Sequence, residues 1–304
     1  MENDREANYL EAMAAALEAS GDYQVLRRLQ PRTAIAAVPP GERIWRGLVL
    51  DVETTGLAAD DEIIELAMVP FTYGRDGTIF NVGEGFERLR EPAKAIPPEI
   101  SQLTGIDASM VAGCEIGPEE VANFVSAVDL VIAHKADFDR NVVERSFPIF
   151  RDKPWACSLT QVPWKEEGFA GVRLGQLLNS CGLFHVAHRA GDDCRAVIEL
   201  LARPLPKSGV SAMSRLLDAA RAESIRIWAS NTPFEQKDKL KARGYKWIDN
   251  TPTQGKAWVI DVCESQLEDE MTYLRSEIYR RDSIQIPLAR VTAYDRFTDR
   301  ATWI

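Results

Sequence analysis

Four acidic residues and one histidine, each inside a distinctive local sequence, are the residues of this chain best suited to chemistry. Asp51 and Glu53 close the apolar run Leu-Val-Leu-Asp-Val-Glu, Asp139 follows Ala-Asp-Phe, and His188 precedes Asp193 by five positions. Hard cations such as Mg²⁺ and Mn²⁺ prefer oxygen ligands, so four carboxylates suit two divalent cations. Two such cations can activate a water and stabilise an in-line displacement at a phosphodiester. The set therefore predicts a metal-dependent nuclease.

The first two carboxylates lie at the end of a predicted buried strand. Residues 47–52 are apolar and β-branched, and Asp51 and Glu53, at positions i and i+2, point to the same side of the pleat. Carboxylates held so close raise each other's pKa unless a cation lies between them. The alternative is a strand that ends in solvent before a polar turn. This segment alone leaves both interpretations open.

The other two aspartates each lie in the first turn of a predicted helix. Residues 127–133 predict a short strand, after which Asp139 belongs to a helix start, and residues 191–202 predict an amphipathic helix with Asp193 in its first turn. Acids in a first turn stabilise the helix dipole, so each aspartate also has a purely structural explanation. Taken together, however, three unrelated segments would have to imitate one catalytic pattern.

The three motifs together resemble the DEDD superfamily of 3′–5′ exonucleases, in the branch whose third motif carries a histidine. The resemblance covers roughly residues 48–205 and implies four metal ligands and one general base, which are Asp51, Glu53, Asp139, Asp193 and His188. The family spacing selects His188 over His185, and Asp193 over Asp192. Asp51 is the expected bridging ligand of two cations, Mg²⁺ or Mn²⁺. Histidine is the usual general base of enzymes near neutral pH, so neutral His188 can accept a proton from the attacking water.

The resemblance also implies contacts to the substrate. In the family, residues after the first motif touch the terminal nucleotide, and a loop between the first two motifs lines the groove. The matching residues here are Thr54, Gly56, Leu57, Leu103 and Thr104. Lys135 stands where members often carry asparagine, so it either contacts a phosphate beside the cluster or points into solvent. Its neighbour His134 is predicted to be a structural histidine at a strand end.

The predicted function is metal-dependent 3′–5′ exonucleolysis at single-stranded or frayed 3′ ends, with DNA favoured and proofreading or repair as the setting. The resemblance implies nucleoside 5′-monophosphates as products. RNA trimming is the alternative within enzymes, because the same residues serve either sugar. A non-catalytic scaffold that binds a polymerase is the alternative from another class, and adjacent unpaired carboxylates argue against it. The sequence leaves a DNA polymerase partner and a homodimer open.

The composition favours a cytoplasmic enzyme without a membrane segment. The 304 residues carry a net charge of −10, no apolar stretch long enough to span a bilayer and no signal peptide. Five scattered cysteines without metal-ligand spacing predict reduced, buried thiols. The acidic excess precedes Lys207, and bound cations would neutralise part of it, so the charge does not exclude a polynucleotide substrate.

The predicted fold class is α/β, with an RNase H-like exonuclease core in which helices flank a mixed central sheet. Residues 1–46 are expected to form an amphipathic helical segment broken at Gly21, and residues 47–206 the exonuclease domain. A breaker-rich linker at 204–209 is expected to separate them from an accessory domain.

The accessory domain, residues 210–304, predicts an α+β fold of the β-α-β-β-α-β type. Within it, basic residues between Lys237 and Lys246 stand near Tyr245, Trp247 and Trp258. Such a mixture is typical of a groove that stacks bases and follows a nucleic-acid backbone. The alternative is that the aromatic residues belong to a core and the lysines to a solvated helix face.

Overall fold

The computed structural model describes residues 2–251 and 255–298, and a mixed β-sheet with helices on both faces forms its larger part. The elements up to Arg221 are, in chain order, α1 (Glu2–Ala19), β1 (Arg27–Arg28), β2 (Trp45–Thr54), β3 (Ile63–Tyr73), β4 (Ile79–Val82), β5 (Phe86–Leu89), α2 (Pro98–Thr104), α3 (Ala108–Val111), α4 (Pro118–Val125), β6 (Leu130–Ala133), α5 (Ala136–Ser146), a 3₁₀ turn (Pro148–Asp152), β7 (Trp155–Cys157), α6 (Leu174–Ser180), β8 (Leu183–Phe184), α7 (Ala190–Ala202) and α8 (Ala212–Arg221).

The central sheet has the order β4-β3-β2-β6-β7, and β5 also pairs with β3. Strand β2 is antiparallel to β3 and parallel to β6, which is parallel to β7. Alternate residues of β2 enter different cores: Leu48 and Leu50 pack with α4 and α5, whereas Val49 packs with α6, α7 and α8. Asp51 and Glu53 continue the series of Val49 and therefore point toward α7. The arrangement confirms the predicted fold class.

Helix α8 belongs to the core of the exonuclease region. Met213, Leu216 and Leu217 are buried in the same cluster as α6 and α7. The preceding breaker-rich segment is a tight turn, in which Leu205 is buried and the Lys207 and Ser208 N–H groups donate to Glu167. By packing, the exonuclease region thus extends to Arg221, beyond the predicted boundary at residue 206.

The N-terminal segment contains one helix and not the expected pair. Helix α1 ends before Gly21, and its side chains Tyr9, Met13 and Leu17 are exposed. The following residues are extended, and β1 pairs in parallel with β8. In this extended form Leu29 packs against the core of the exonuclease region. The prediction of a second helix was therefore wrong.

The C-terminal region folds in the predicted β-α-β-β-α-β order around a four-stranded antiparallel sheet of order β10-β11-β9-β12. Its elements are β9 (Ser224–Ser230), a 3₁₀ turn (Phe234–Gln236) with α9 (Lys237–Ala242), β10 (Lys246–Thr251), β11 (Gly255–Val262), a 3₁₀ turn (Glu264–Gln266) with α10 (Leu267–Tyr273), a π-helical turn (Leu274–Tyr279) and β12 (Leu288–Val291).

The five cysteines are all free, but they are not all buried. Cys157 and Cys194 lie in the core, whereas Cys263 is exposed, which contradicts the prediction for that residue. Within the described residues, no helix combines the length and the apolar character that crossing a bilayer requires.

Candidate active site

Three of the predicted carboxylates meet at the end of β2. Asp51 and Glu53 reach this point from the strand, and Asp193 reaches it from the first turn of α7. One carboxylate oxygen from each lies within 4.8 Å of the others. Such an all-oxygen donor set has the chemistry that a hard divalent cation requires.

Asp139 approaches the same place from the first turn of α5 and is almost completely buried. It lies outside the triplet of oxygens within 4.8 Å, but its charge acts on Asp51. Burial, followed by repulsion from Asp139 and Asp193, raises the pKa of Asp51 well above its usual range. The structure thus gathers all four predicted acids and keeps Asp139 slightly apart.

The electrostatics of the cluster call for a cation. Burial, then repulsion from Asp193 and Glu65, raises the pKa of Glu53 to about 8. Burial raises the pKa of Asp139 to about 7, although the backbone N–H groups of Asp139 and Val52 oppose the rise. Ionisation of carboxylates with such pKa values is unfavourable at neutral pH. A bound cation stabilises the ionised form, because it offsets both the loss of hydration on burial and the repulsion between the charges. The donor set and its charge therefore fit divalent cations.

Two histidines of one loop reach Asp193 in different ways. His185 places Nε2 2.5 Å from Oδ1 of Asp193, and its side chain is nearly buried. His188 donates its backbone N–H to Oδ2 of Asp193 at 3.1 Å, and the residue is exposed with a positive φ of 63°. The imidazole that contacts the cluster is therefore that of His185, which the sequence analysis set aside, and the imidazole of His188 remains free to reach a ligand.

Glu65 is a buried residue that the sequence analysis missed. It lies directly opposite Glu53 in the β2–β3 register. Its carboxylate accepts hydrogen bonds from Nη2 of Arg189 at 2.9 Å and from the backbone N–H of Ala190 at 3.0 Å. These bonds fasten the start of α7 to β3 and so place Asp193 beside β2. A carboxylate inside the apolar run of β3 was the available signal.

The turn after β2 is ordered by its own side chains. The buried Thr54 donates its hydroxyl to the Gly56 carbonyl, and a Cβ on Gly56 would lie 2.5 Å from Oδ2 of Asp61. Leu57 follows this turn and is 79% exposed. Of the three predicted contacts in this turn, Leu57 is the side chain free to touch a ligand.

The remaining predicted substrate residues divide in the same way. Leu103 is half exposed, whereas the hydroxyl of buried Thr104 donates to the Ile100 carbonyl within α2. Lys135 is exposed, and its ammonium lies 5.5 Å from the centre of the Phe138 ring. Both ring nitrogens of His134 have partners, Ser158 and the Val172 carbonyl, each at 2.9 Å. The prediction that His134 is structural is confirmed.

A mixed sheet with carboxylates at the end of its central strand and at two helix starts defines the class of α/β nucleases that work with divalent cations. A family model described as Exonuclease (RNase_T) matches residues 48–201, half of the chain. The chain belongs to this family, in the histidine-containing DEDD branch that its motifs predicted, and it is a 3′–5′ exonuclease acting on nucleic acid. The alternative of a non-catalytic scaffold is therefore set aside.

Curated relatives and a solved structure accompany this match. The chain is 34% identical to DNA polymerase III subunit epsilon of Treponema pallidum over 162 residues, which are 49% of this chain and 72% of that protein. It is 30% identical to 3′-5′ exonuclease DinG of Bacillus subtilis over 56% of this chain and 19% of that protein. Exonuclease X in complex with 5′-overhanging duplex DNA is 25% identical, with a TM-score of 0.43, over 57% of this chain and 99% of that one.

Proposed function

We propose that this exonuclease removes nucleotides from single-stranded or frayed 3′ ends of DNA with two divalent cations, Mg²⁺ or Mn²⁺, in its carboxylate cluster. The observation that carries the proposal is the meeting of Asp51, Glu53 and Asp193 within 4.8 Å. Buried carboxylates with raised pKa values, such as Asp51 and Glu53, are a costly arrangement unless cations bind. Asp51, Glu53, Asp139 and Asp193 are the proposed ligands.

When bound, the cations would supply activation of the attacking water and stabilisation of the leaving oxygen. The charges of Asp139, Asp193 and Glu53 all raise the pKa of Asp51, so Asp51 is the carboxylate that would serve as a ligand of both cations. Four carboxylates balance the charge of two divalent cations. Attack of water on the terminal phosphodiester would break its P–O3′ bond, which releases the last nucleotide as a nucleoside 5′-monophosphate and leaves a 3′-hydroxyl on the strand.

His188 is the proposed general base, and His185 is proposed to orient Asp193. The imidazole of His188 is exposed on the loop whose backbone already bonds Asp193, so it is free to take a proton from the attacking water. The imidazole of His185 is engaged by the Asp193 carboxylate at 2.5 Å. An imidazole held in this way fixes the carboxylate rotamer more readily than it exchanges protons with a substrate.

Side chains around the cluster would bind the terminal nucleotide. The exposed aliphatic residues Leu57 and Leu103 can pack against a base, and the exposed ammonium of Lys135 can pair with a phosphate. Thr54 and Thr104 are proposed to act through the shape of their turns, because their hydroxyls donate within those turns.

DNA is favoured over RNA because a curated relative of which the chain covers 72% is a DNA polymerase III subunit. The decisive experiment is digestion of matched, labelled single-stranded DNA, single-stranded RNA and a duplex with a mismatched 3′ end, with Mg²⁺ or Mn²⁺. Faster release of mononucleotides from DNA supports the proposal, and faster release from RNA would identify a trimming ribonuclease instead. Association with a DNA polymerase, a homodimeric state and a cytoplasmic location remain predictions.

A further inference from the structure

The C-terminal domain is fastened to the helix that carries Asp139. Arg140, the next residue of α5, is completely buried and donates to the carbonyl oxygens of Ala293, Tyr294 and Arg296 at 3.3, 2.6 and 2.7 Å. The backbone N–H of Trp155 in β7 donates to the Ala293 carbonyl at 2.8 Å. Buried hydrogen bonds to a charged donor are strong and directional, so these bonds fix the C-terminal domain relative to α5.

Both faces of the C-terminal sheet are covered, which excludes them as platforms for bases. Tyr245 and Trp258 are buried under the helices on one face, and Trp228 and Val259 are buried on the other. The hydroxyl of Tyr245 donates to Glu270 at 2.9 Å. Two of the three aromatic residues in the predicted strand-binding groove are therefore core residues.

Most of the cations of that predicted groove also have other partners. Lys239 pairs with Glu277, and Arg243 pairs with Glu270. Lys237 lies 4.3 Å from the centre of the Phe234 ring. These contacts agree with the alternative interpretation of a solvated helix face.

Two neighbouring residues of the edge strand β10 differ from the rest. The ammonium of Lys246 lies 3.5 Å from Oδ2 of Asp137, a residue in the same helical turn as Asp139, and its side chain is 74% exposed. Trp247 is 46% exposed and lies edge-on to Trp258, with ring centres 5.3 Å apart. The domain contact at Arg140 thus holds an exposed cation close to the helical turn that carries Asp139, with an exposed indole as the next residue of the edge strand.

We propose that Lys246 and Trp247 form a binding site for single-stranded DNA, which holds the part of the strand upstream of the nucleotide being removed. The proposal rests on the proposed function. An ammonium beside the catalytic helix attracts a backbone phosphate, and the adjacent indole face can stack one base. Duplex bases already stack on each other and leave no face for the indole, so the chemistry selects a single strand.

The test compares kinetics on a thymidine 20-mer and a thymidine trinucleotide for Trp247→Ala and Lys246→Glu. Stacking on one aromatic side chain corresponds to roughly 5-fold to 150-fold in affinity, and partial exposure of Trp247 places the expected rise in KM on the 20-mer at about 5-fold. The kcat on the 20-mer and both constants on the trinucleotide should stay unchanged, because the site is remote from the reacting phosphate. Equal KM changes on both substrates, or no change on the 20-mer, would overturn the proposal.

Conservative and control variants separate the site from general effects. Trp247→Phe and Lys246→Arg keep the aromatic face and the charge, so they should restore most of the affinity for the 20-mer. Lys239→Glu makes the same charge change in the same domain at a lysine whose partner, Glu277, belongs to the C-terminal domain and not to the helix that carries Asp139, and it should leave KM unchanged. A KM that rises equally in Lys239→Glu would show that net charge, and not this site, binds the strand.

A binding assay keeps this proposal distinct from the proposed function. Fluorescence anisotropy of a labelled 20-mer in EDTA reports strand binding without hydrolysis. The slope of log affinity against log salt concentration should become shallower in Lys246→Glu, by the amount expected for about one lost phosphate contact. If the wild-type protein hydrolyses no oligonucleotide, the proposed function is wrong. If Trp247→Ala still weakens binding of the 20-mer in that case, the strand-binding site is supported independently. If Trp247→Ala instead changes the molar mass by light scattering and leaves strand binding intact, β10 pairs with a protein and the proposal is wrong.

Discussion

Replacing Asp139 with asparagine is expected to abolish hydrolysis and also to stabilise the protein in the absence of cations. Asp139 is 3% exposed, and burial raises its pKa to about 7, so above that pH it is a buried anion close to Asp51. Asparagine has the same shape and can accept a backbone hydrogen bond, but it carries no charge. Hydrolysis is lost because a proposed metal ligand is removed.

The pKa of Asp139 gives the size and the pH dependence of this stabilisation. The pKa rises from 3.8 to about 7 on folding. Between these values the folded protein keeps a proton that the unfolded chain has released, so the contribution of Asp139 to stability is greatest below about pH 4 and is lost as the pH rises through about 7. At about 1.4 kcal/mol per pKa unit, the loss reaches at most about 4 kcal/mol, and we expect about 1 to 4 kcal/mol. Asparagine removes this dependence.

Thermal melting in EDTA at pH 5 and pH 8 measures the effect. At pH 8 the Asp139→Asn protein should melt about 2 to 8 °C above wild type, at roughly 2 °C per kcal/mol for a chain of this size, and near pH 5 the difference should shrink. Saturating Mg²⁺ should stabilise wild type more than the variant. Asp137→Asn, a change at an exposed carboxylate of the same turn, is the control and should keep most activity on short substrates. A variant that melts below wild type at pH 8, or that turns over normally, would refute the reasoning.

Further predictions concern the general base and the domain contact. His188→Ala should lose about 10²-fold to 10⁴-fold in rate, while calorimetry shows that its metal affinity is retained. His185→Ala should lose less rate. A larger loss in His185→Ala than in His188→Ala would assign the general base to His185. Arg140→Met removes the donor of three carbonyls and should cost about 2 to 5 kcal/mol, visible as a lower Tm, and an unchanged Tm would contradict the contact. Deletion from Ser211 onward removes the buried face of α8, at about 1.5 to 3 kcal/mol per large side chain, so a stable and fully active fragment would be unexpected.

The meeting of the four carboxylates could be predicted from sequence because local geometry places them. The two-residue period of a strand puts Asp51 and Glu53 on one side, and helix starts after β6 and β8 bring Asp139 and Asp193 to the same edge. The spacing within each motif therefore carries most of the information about these side chains. It does not give the distances between them, and so it could not show that Asp139 lies outside the triplet of oxygens within 4.8 Å.

The partners of these ligands could not be predicted, because they depend on long-range contacts. Glu65 acts on α7 through a hydrogen bond to the Ala190 backbone, which any residue at that position would supply. The contact between His185 and Asp193 depends on the loop conformation, in which His188 takes a positive φ. Spacing identifies the histidine that matches the family, but it does not tell which imidazole reaches the carboxylate.

The N-terminal segment shows how tertiary pairing overrides periodicity. Val25, Leu26 and Leu29 have spacing that suits a helix, yet the chain there is extended and pairs with β8. Backbone hydrogen bonds to a neighbouring strand and one partly buried leucine suffice, since a short isolated helix is marginal in water. Helix α1 is joined to this segment by the ion pairs of Arg27 with Glu11 and Glu18, and its apolar side chains are exposed.

The position of Arg140 next to Asp139 links the catalytic cluster to the C-terminal domain. Consecutive residues of a helix point about 100° apart, so one turn of α5 presents a carboxylate to the active site and a guanidinium to the C-terminal segment. A shift of that segment would have to move Arg140, and with it the backbone that orients Asp139. Hence the accessory domain does more than supply the proposed strand-binding site. Its contact with the exonuclease region and the orientation of Asp139, a proposed metal ligand, depend on the same helical turn. For this reason single substitutions at Lys246 and Trp247 test strand binding more cleanly than removal of the domain does.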